Sequence, residues 1–323
     1  MIPGLALSLA LACLAWFLGF SMPIVGAPIV GILLGMGVAF WKRPPTFEAG
    51  IRAAGKTGLK AAIILLGFGM NLGNVARAGV DSLLVLCFTL LAAFLTALLA
   101  SRLLGLRGNQ PILIAFGTAI CGGSAIAAVA PIVEASDEEV AHAISTIFLF
   151  NVLAVFLFPA LGHLIGLGDR GFGLWAGTAI NDTSSVVAAA YSWSDSAGAY
   201  ATVVKLTRTL FIIPLTLGLA LLRNRGFAGA GSGFHAGKVF PWFVVGFLAS
   251  SLARTLGLIP DSLSDSLAVG GKFLIVVAMA AIGLNTDLVK LLRNGRKPIV
   301  LGLACWAAVA LTSLAAQGLT GTW

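Results

Sequence analysis

The sequence predicts an all-α polytopic membrane protein of about 10–11 transmembrane helices, with inverted repeats and two broken helices. Three observations predict it: a nearly uncharged apolar composition, eleven apolar runs of membrane length, and two matching polar interruptions inside those runs. Of 323 residues, 59% are hydrophobic and 10% are charged, and the mean hydropathy is +1.03. A water-covered domain carries about 25% charged residues, so a soluble fold is excluded. The 40 glycines follow no collagen period and suit closely packed membrane helices. Nucleic-acid binding requires an exposed basic face, which no segment supplies.

The apolar runs, taken in order, are 4–20, 24–41, 58–72, 82–101, 111–133, 139–166, 171–193, 199–222, 239–257, 267–286 and 298–320. Each approaches the ~20 residues that a bilayer crossing needs. No Lys or Arg occurs before residue 42, so the first run lacks the basic leader of a cleavable signal and reads as a retained span. The second contains Gly31-Ile32-Leu33-Leu34-Gly35, a close-packing spacing within or between chains, and a homodimer is one partner it allows. The third ends in Gly69-Met70-Asn71, and the fourth is uninterrupted. The fifth and seventh carry the polar breaks, and the sixth, with Pro159, links them. The eighth holds Lys205 and Arg208 on one face. In the tenth, Lys272 stands close enough to a helix end to snorkel, and the run closes with Gly283-Leu284-Asn285. Residues 1–323 thus form one transmembrane domain, with a first repeat over 1–133, a second over 171–323 and a linking span at 139–166.

Charge orients the chain. With the N-terminus in the cytoplasm, fifteen of the 20 Lys and Arg residues fall in cytoplasmic connections, Arg102, Arg107 and Arg170 among them. The opposite side receives Arg77, Arg254 and the acidic cluster Glu134, Asp137, Glu138 and Glu139. That is a strong positive-inside bias, and the net charge of +8 reports orientation. Cys13, Cys87, Cys121 and Cys305 form no CxxC pair and read as small apolar residues. No metal or cofactor is expected.

Two segments 60 residues apart match. Gly117-Thr118-Ala119-Ile120-Cys121-Gly122-Gly123-Ser124 parallels Gly177-Thr178-Ala179-Ile180-Asn181-Asp182-Thr183-Ser184, which Ser185 extends. Gly, Asn, Asp, Thr and Ser all weaken a helix interior. Unwound backbone at membrane depth survives only where protein buries it or it lines a cavity. Paired interruptions therefore point to discontinuous helices around a midplane site. Gly69-Met70-Asn71 and Gly283-Leu284-Asn285 form a weaker pair running in opposite directions. The GTAI copies run the same way if both segments cross, which leaves open a re-entrant segment or two passes within 139–166.

GTAICGGSAIAAVAPI at 117–132, WAGTAINDTSSVVAA at 175–189 and VVKLTR at 203–208 together resemble a family of bacterial inner-membrane proteins named for sulfate export. The resemblance covers essentially the whole chain. It implies the inverted-repeat fold of sodium/proton antiporters and bile-acid symporters, with two broken helices crossing near the substrate. Many relatives carry His before the acid and Gln after the hydroxyl pair. Here those positions are Asn181 and Ser185, so no imidazole titrates at this point.

The residues themselves fit a small anion. Helix N-termini restarting after the breaks offer N–H donors and a positive dipole end. Candidate substrate-binding residues are Cys121, Gly122, Gly123, Ser124, Asn181, Thr183, Ser184, Ser185, Lys205 and Arg208. Asp182 is the candidate coupling residue for a proton or sodium, or else the structural partner of Lys205 or Arg208. The expected function is secondary transport of a small inorganic anion, sulfate or a related sulfur oxyanion, in the bacterial inner membrane. A sodium- or proton-coupled cation antiporter and a small organic acid carrier are the alternatives. An enzyme is not expected, because no HExxH, GxSxG or Walker motif occurs.

Overall fold

A computed structural model describes residues 1–21, 26–41, 43–106, 108–222, 240–286 and 295–323. Lys42, Arg107, Arg223, Arg225, His235, Lys238, Asp287, Leu288, Val289, Lys290 and Arg293 lie outside the described residues. Within them each of the eleven apolar runs is mostly helical. The helices are α1 (Ile2–Ser21), α2 (Gly26–Ala39), α3 (Glu48–Ala53) and α4 (Leu59–Gly67), the last two joined by a π turn over Ala54–Gly58. There follow α5 (Leu72–Leu103), α6 (Gln110–Ala119), α7 (Gly123–Val133), α8 (Asp137–Leu164), α9 (Asp169–Ala179) and α10 (Thr183–Trp193). The set closes with α11 (Asp195–Leu210), α12 (Ile212–Leu222), α13 (Trp242–Thr255), α14 (Asp261–Asn285) and α15 (Arg296–Thr320). Six stretches, α11 and α12 counted as one, are by themselves long and apolar enough to cross a membrane. Polar side chains start several of them. Asn71 caps α5, Ser194 caps α11, and Ser136 with Glu139 forms a capping box on α8.

Contacts between chain ends sort the helix termini onto two faces. On the N face, Gly4 lies against Phe47, Arg43 donates to the Leu284 carbonyl, and Gly105 lies near Lys297. On the C face, Gly26 packs on Ser192, Leu72 N–H donates to Thr255 Oγ1, and Gly171 meets the terminal Trp323. Nine segments run between the faces: α1, α2, α3–α4, α5, α8, α11–α12, α13, α14 and α15. The two interrupted runs do not. Glu139, at the start of α8, accepts from Asn109 N–H at 2.7 Å, so α6 begins on the face to which α7 returns. Trp193, at the end of α10, donates to Asp169 at the start of α9 at 3.0 Å and stacks on Phe172. Both runs are re-entrant hairpins, one entering from each face, and a single carboxylate closes the base of each.

Re-entry settles the direction of the GTAI repeat. The two copies point at each other from opposite faces, whereas two crossings would have pointed them the same way. It also corrects the charge map. The acidic cluster at 134–139 shares the N face with Arg102, and Arg170 stands on the C face, ion-paired to Asp81 at 2.6 Å. Lys272 is another correction. It occupies the middle of α14 rather than an end, and its ammonium binds Asp195 at 2.7 Å. The Gly31 and Gly35 spacing serves contacts inside the chain. Gly31 faces Val276 and Ala280, and Gly35 faces Ala280 and Gly283.

The helices pack in two groups. α1, α2, α3–α4, α13 and α14 form one, and α5, α8, α11, α15 and both hairpins form the other. The largest apolar cluster surrounds the hairpins, with Leu113, Ile114, Ile126, Ile147, Phe158, Trp175 and Ile180 among its members.

Candidate functional site

Helix length places the tips. The ten residues of α6 and eleven of α9 each reach about 15 Å at 1.5 Å per residue. That is half of a ~30 Å hydrocarbon core. The helices stop where the sequence turns polar or small. α6 ends at Ala119, and α7 restarts after Gly122, whose φ of 72° and ψ of −128° place it where side chains are strongly disfavoured. α9 ends at Ala179, and α10 restarts after Asp182, an extended residue whose carboxylate accepts from Ser184 N–H at 3.0 Å and from the Ser184 hydroxyl. The tips touch. A β-carbon built on Gly122 would stand 3.8 Å from Asp182 Cα and 3.8 Å from Asn151 Nδ2.

Lys205 and Arg208 are fully buried at this meeting point. Lys205 Nζ donates to the Ile120 carbonyl at 2.9 Å and to the Ile180 carbonyl at 3.0 Å, one from each tip. Arg208 donates through Nε to Ala119 at 2.7 Å, through Nη1 to Ile180 at 3.2 Å, and through Nη2 to the Thr118 carbonyl. A helix that ends in the membrane leaves its last carbonyls without partners, and each such group is costly there. α11 brings one pair of cations to both broken ends. Among the described residues no ion pair joins Asp182 to either cation; the carboxylate caps α10.

The predicted site residues therefore converge. Cys121, Gly122, Gly123 and Ser124 form the first tip, with Cys121 Sγ and Ser124 Oγ 2.8 Å apart. Asn181, Asp182, Thr183, Ser184 and Ser185 form the second. The cations face carbonyls rather than open space. Several polar atoms have no partner although they are buried: both amide atoms of Asn181, Asn151 Nδ2 and Thr118 Oγ1. Unsatisfied buried groups cost about 1–3 kcal/mol each and commonly mark a place for water or an ion.

Asn151 escaped the sequence reading. It is buried on α8, and its Oδ1 accepts from Asp182 N–H at 3.1 Å. The available signal was one amide in the middle of the apolar stretch Phe148-Leu149-Phe150-Asn151-Val152-Leu153, since a polar side chain at membrane depth has a reason to be there.

This architecture defines a polytopic α-helical membrane protein with a polar, cationic centre between two re-entrant hairpins. The chain belongs to the family described as conserved hypothetical protein 698, whose family model matches residues 3–302. It is 48% identical over 332 residues to a UPF0324 membrane protein of Streptococcus pyogenes serotype M6, covering 100% of this chain and 98% of the relative. A UPF0324 membrane protein of Streptococcus agalactiae serotype V is 45% identical over 331 residues, with the same coverage. One from Fusobacterium nucleatum is 42% identical over 339 residues, 98% of each chain.

Proposed function

We propose that this protein is a secondary transporter of a small inorganic anion, a sulfur oxyanion such as sulfate, working by alternating access around the two hairpin tips. The observation that carries the reading is the pair of buried cations, Lys205 and Arg208, with no acid in ion-pair contact among the described residues. Two buried positive charges beside one half-buried carboxylate leave the centre electropositive. The positive ends of α7 and α10 point to the same place. Carbonyls solvate the two cations without cancelling their charge. A cation carrier would more naturally concentrate carboxylates there.

Described basic residues Arg43, Arg52, Arg102, Arg296 and Lys297 gather at the N face. The C face holds fewer, Arg77, Arg170 and Arg254, while acids lie on both faces, Glu48 and the 134–139 cluster on one and Asp81, Asp261 and Asp265 on the other. By the positive-inside rule, this supports a bacterial inner-membrane protein with a cytoplasmic N-terminus.

The test is flux in proteoliposomes of purified protein. Radiolabelled sulfate should exchange against internal sulfate, sulfite or thiosulfate, with neither sodium nor potassium moving on its own. Sodium or proton antiport without anion movement would replace this reading with a cation antiporter.

A further inference from the structure

The hairpin tips are related in sequence but not equally available to a ligand. At the second tip the N-cap position carries its own anion, since Asp182 occupies the start of α10 and binds Ser184. Thr183, Ser184 and Ser185 behind it are buried. At the first tip the N-cap is Gly122 and no side chain caps α7. The N–H groups of Gly123, Ser124 and Ala125 have no partner among the described residues, Gly123 is half-buried and Ser124 is exposed. This exposed helix start has a polar neighbour. Asn151, 3% exposed, uses Oδ1 on the second tip and holds Nδ2 unpartnered beside Gly122.

We propose that an oxyanion seats at the N-terminus of α7, held by the amides of Gly123–Ala125 and by Asn151 Nδ2, and that Asn151 is a specificity-determining residue. The proposal rests on the anion-transport reading and deepens it by naming the seat. The amides of Gly123–Ala125 and Asn151 Nδ2 are donors only, so they suit a ligand that accepts hydrogen bonds. Fully deprotonated sulfate or thiosulfate meets that condition. An acid bearing O–H groups brings a donor that neither these amides nor Asn151 Nδ2 can accept, and one unpaired buried donor is enough for strong discrimination. Asn151 also ties occupancy of the first tip to the position of the second, because its other atom holds Asp182 N–H.

Three variants of the full-length protein test this, read by sulfate-dependent thermal shift in detergent against a gluconate background. Asn151→Asp keeps an acceptor for Asp182 N–H and replaces the seat's donor with an acceptor. Gly123→Pro removes one N–H at the first helical position, where proline is tolerated. Gly270→Ala, on α14 where an added β-carbon meets nothing within 4 Å, is the control away from the seat.

The expected result is at least about a tenfold loss of sulfate affinity in the first two variants, the size of one lost charge-assisted hydrogen bond. Gly270→Ala should bind as the wild type does, and all three should melt normally without sulfate. Wild-type affinity in folded Asn151→Asp or folded Gly123→Pro overturns the seat while leaving anion transport standing. Wild-type protein whose melting ignores sulfate, sulfite and thiosulfate alike overturns the transport reading and the seat together.

Discussion

The two hairpin tips start from the same four residues, Gly-Thr-Ala-Ile, and solve the same problem differently. Each must end one helix and begin another at mid-depth. In both, α11 supplies the cations that satisfy the departing carbonyls. The N-cap is where they part. Gly122 turns the first chain through a left-handed conformation and brings no side chain, whereas Asp182 turns the second in an extended conformation and caps α10 itself. One tip is left with free donors, and the other is filled by its own carboxylate. Two hairpins that share their GTAI start thus differ in one uncapped and one side-chain-capped helix start, which an exact two-fold arrangement would not provide.

The common half of the comparison carries the largest expected effect. Arg208→Ala strips bonds from three tip carbonyls, those of Thr118, Ala119 and Ile180. The Ile180 carbonyl keeps its bond from Lys205, so two acceptors are orphaned, and at about 1–3 kcal/mol each the loss is about 2–6 kcal/mol. The variant should accumulate poorly, and its melting temperature, followed by fluorescence-detected gel filtration, should fall sharply. Arg208→Lys should recover only part of this, because an ammonium does not reproduce the planar fork. A stable Arg208→Ala protein would mean that the tips hold themselves without Arg208.

The differing half predicts a smaller and unequal response. Gly122→Ala forces a β-carbon into a glycine conformation, at about 1–3 kcal/mol. It also brings that carbon within 3.4 Å of Ile147 and 3.8 Å of Asn151. Asp182→Gly removes a cap at a few tenths of a kcal/mol. The melting temperature should therefore drop further for Gly122→Ala, although the side chain added is only a methyl group. Equal drops would show that the backbone difference between the tips is not what separates them.

Much of this was legible in the sequence. All eleven helical runs, both interruptions and the two cations facing them follow from hydropathy and from residues that weaken helices. Direction does not. A run such as 111–133 has the hydropathy of one crossing whether it continues or folds back at Gly122. What turns it back is a long-range bond between Glu139 and Asn109 that no local pattern announces. The charge count puts Arg170 on the wrong face for the same reason, since a run that folds back at Gly122 leaves α8 starting on the N face and ending beside Arg170 on the C face. Lys272 was misread as a snorkelling end because its partner, Asp195, is far away in sequence. That Lys205 and Arg208 also satisfy tip carbonyls is not legible, because those carbonyls become orphaned only once the helices are known to stop.

The smallest expected change in stability carries the most information about mechanism. Asp182→Asn keeps an oxygen that accepts from Ser184 N–H, and Asn caps helices about as well as Asp. The melting temperature should shift by the equivalent of less than about 1 kcal/mol. Were Asp182 the structural partner of Lys205 or Arg208, the substitution would break a buried ion pair at about 3–5 kcal/mol. The absence of such a pair among the described residues argues against that outcome, and a large loss of stability would overturn the cap geometry itself. With a folded variant in hand, two fluxes separate the remaining roles. If Asp182 carries the coupling proton, sulfate uptake driven by a pH gradient should fall to background, while exchange at equal concentrations on both sides persists. If the carboxylate acts only as a cap, both fluxes and their pH dependence should match the wild type. The two tips would then differ in shape alone, and coupling would have to be sought elsewhere in the chain.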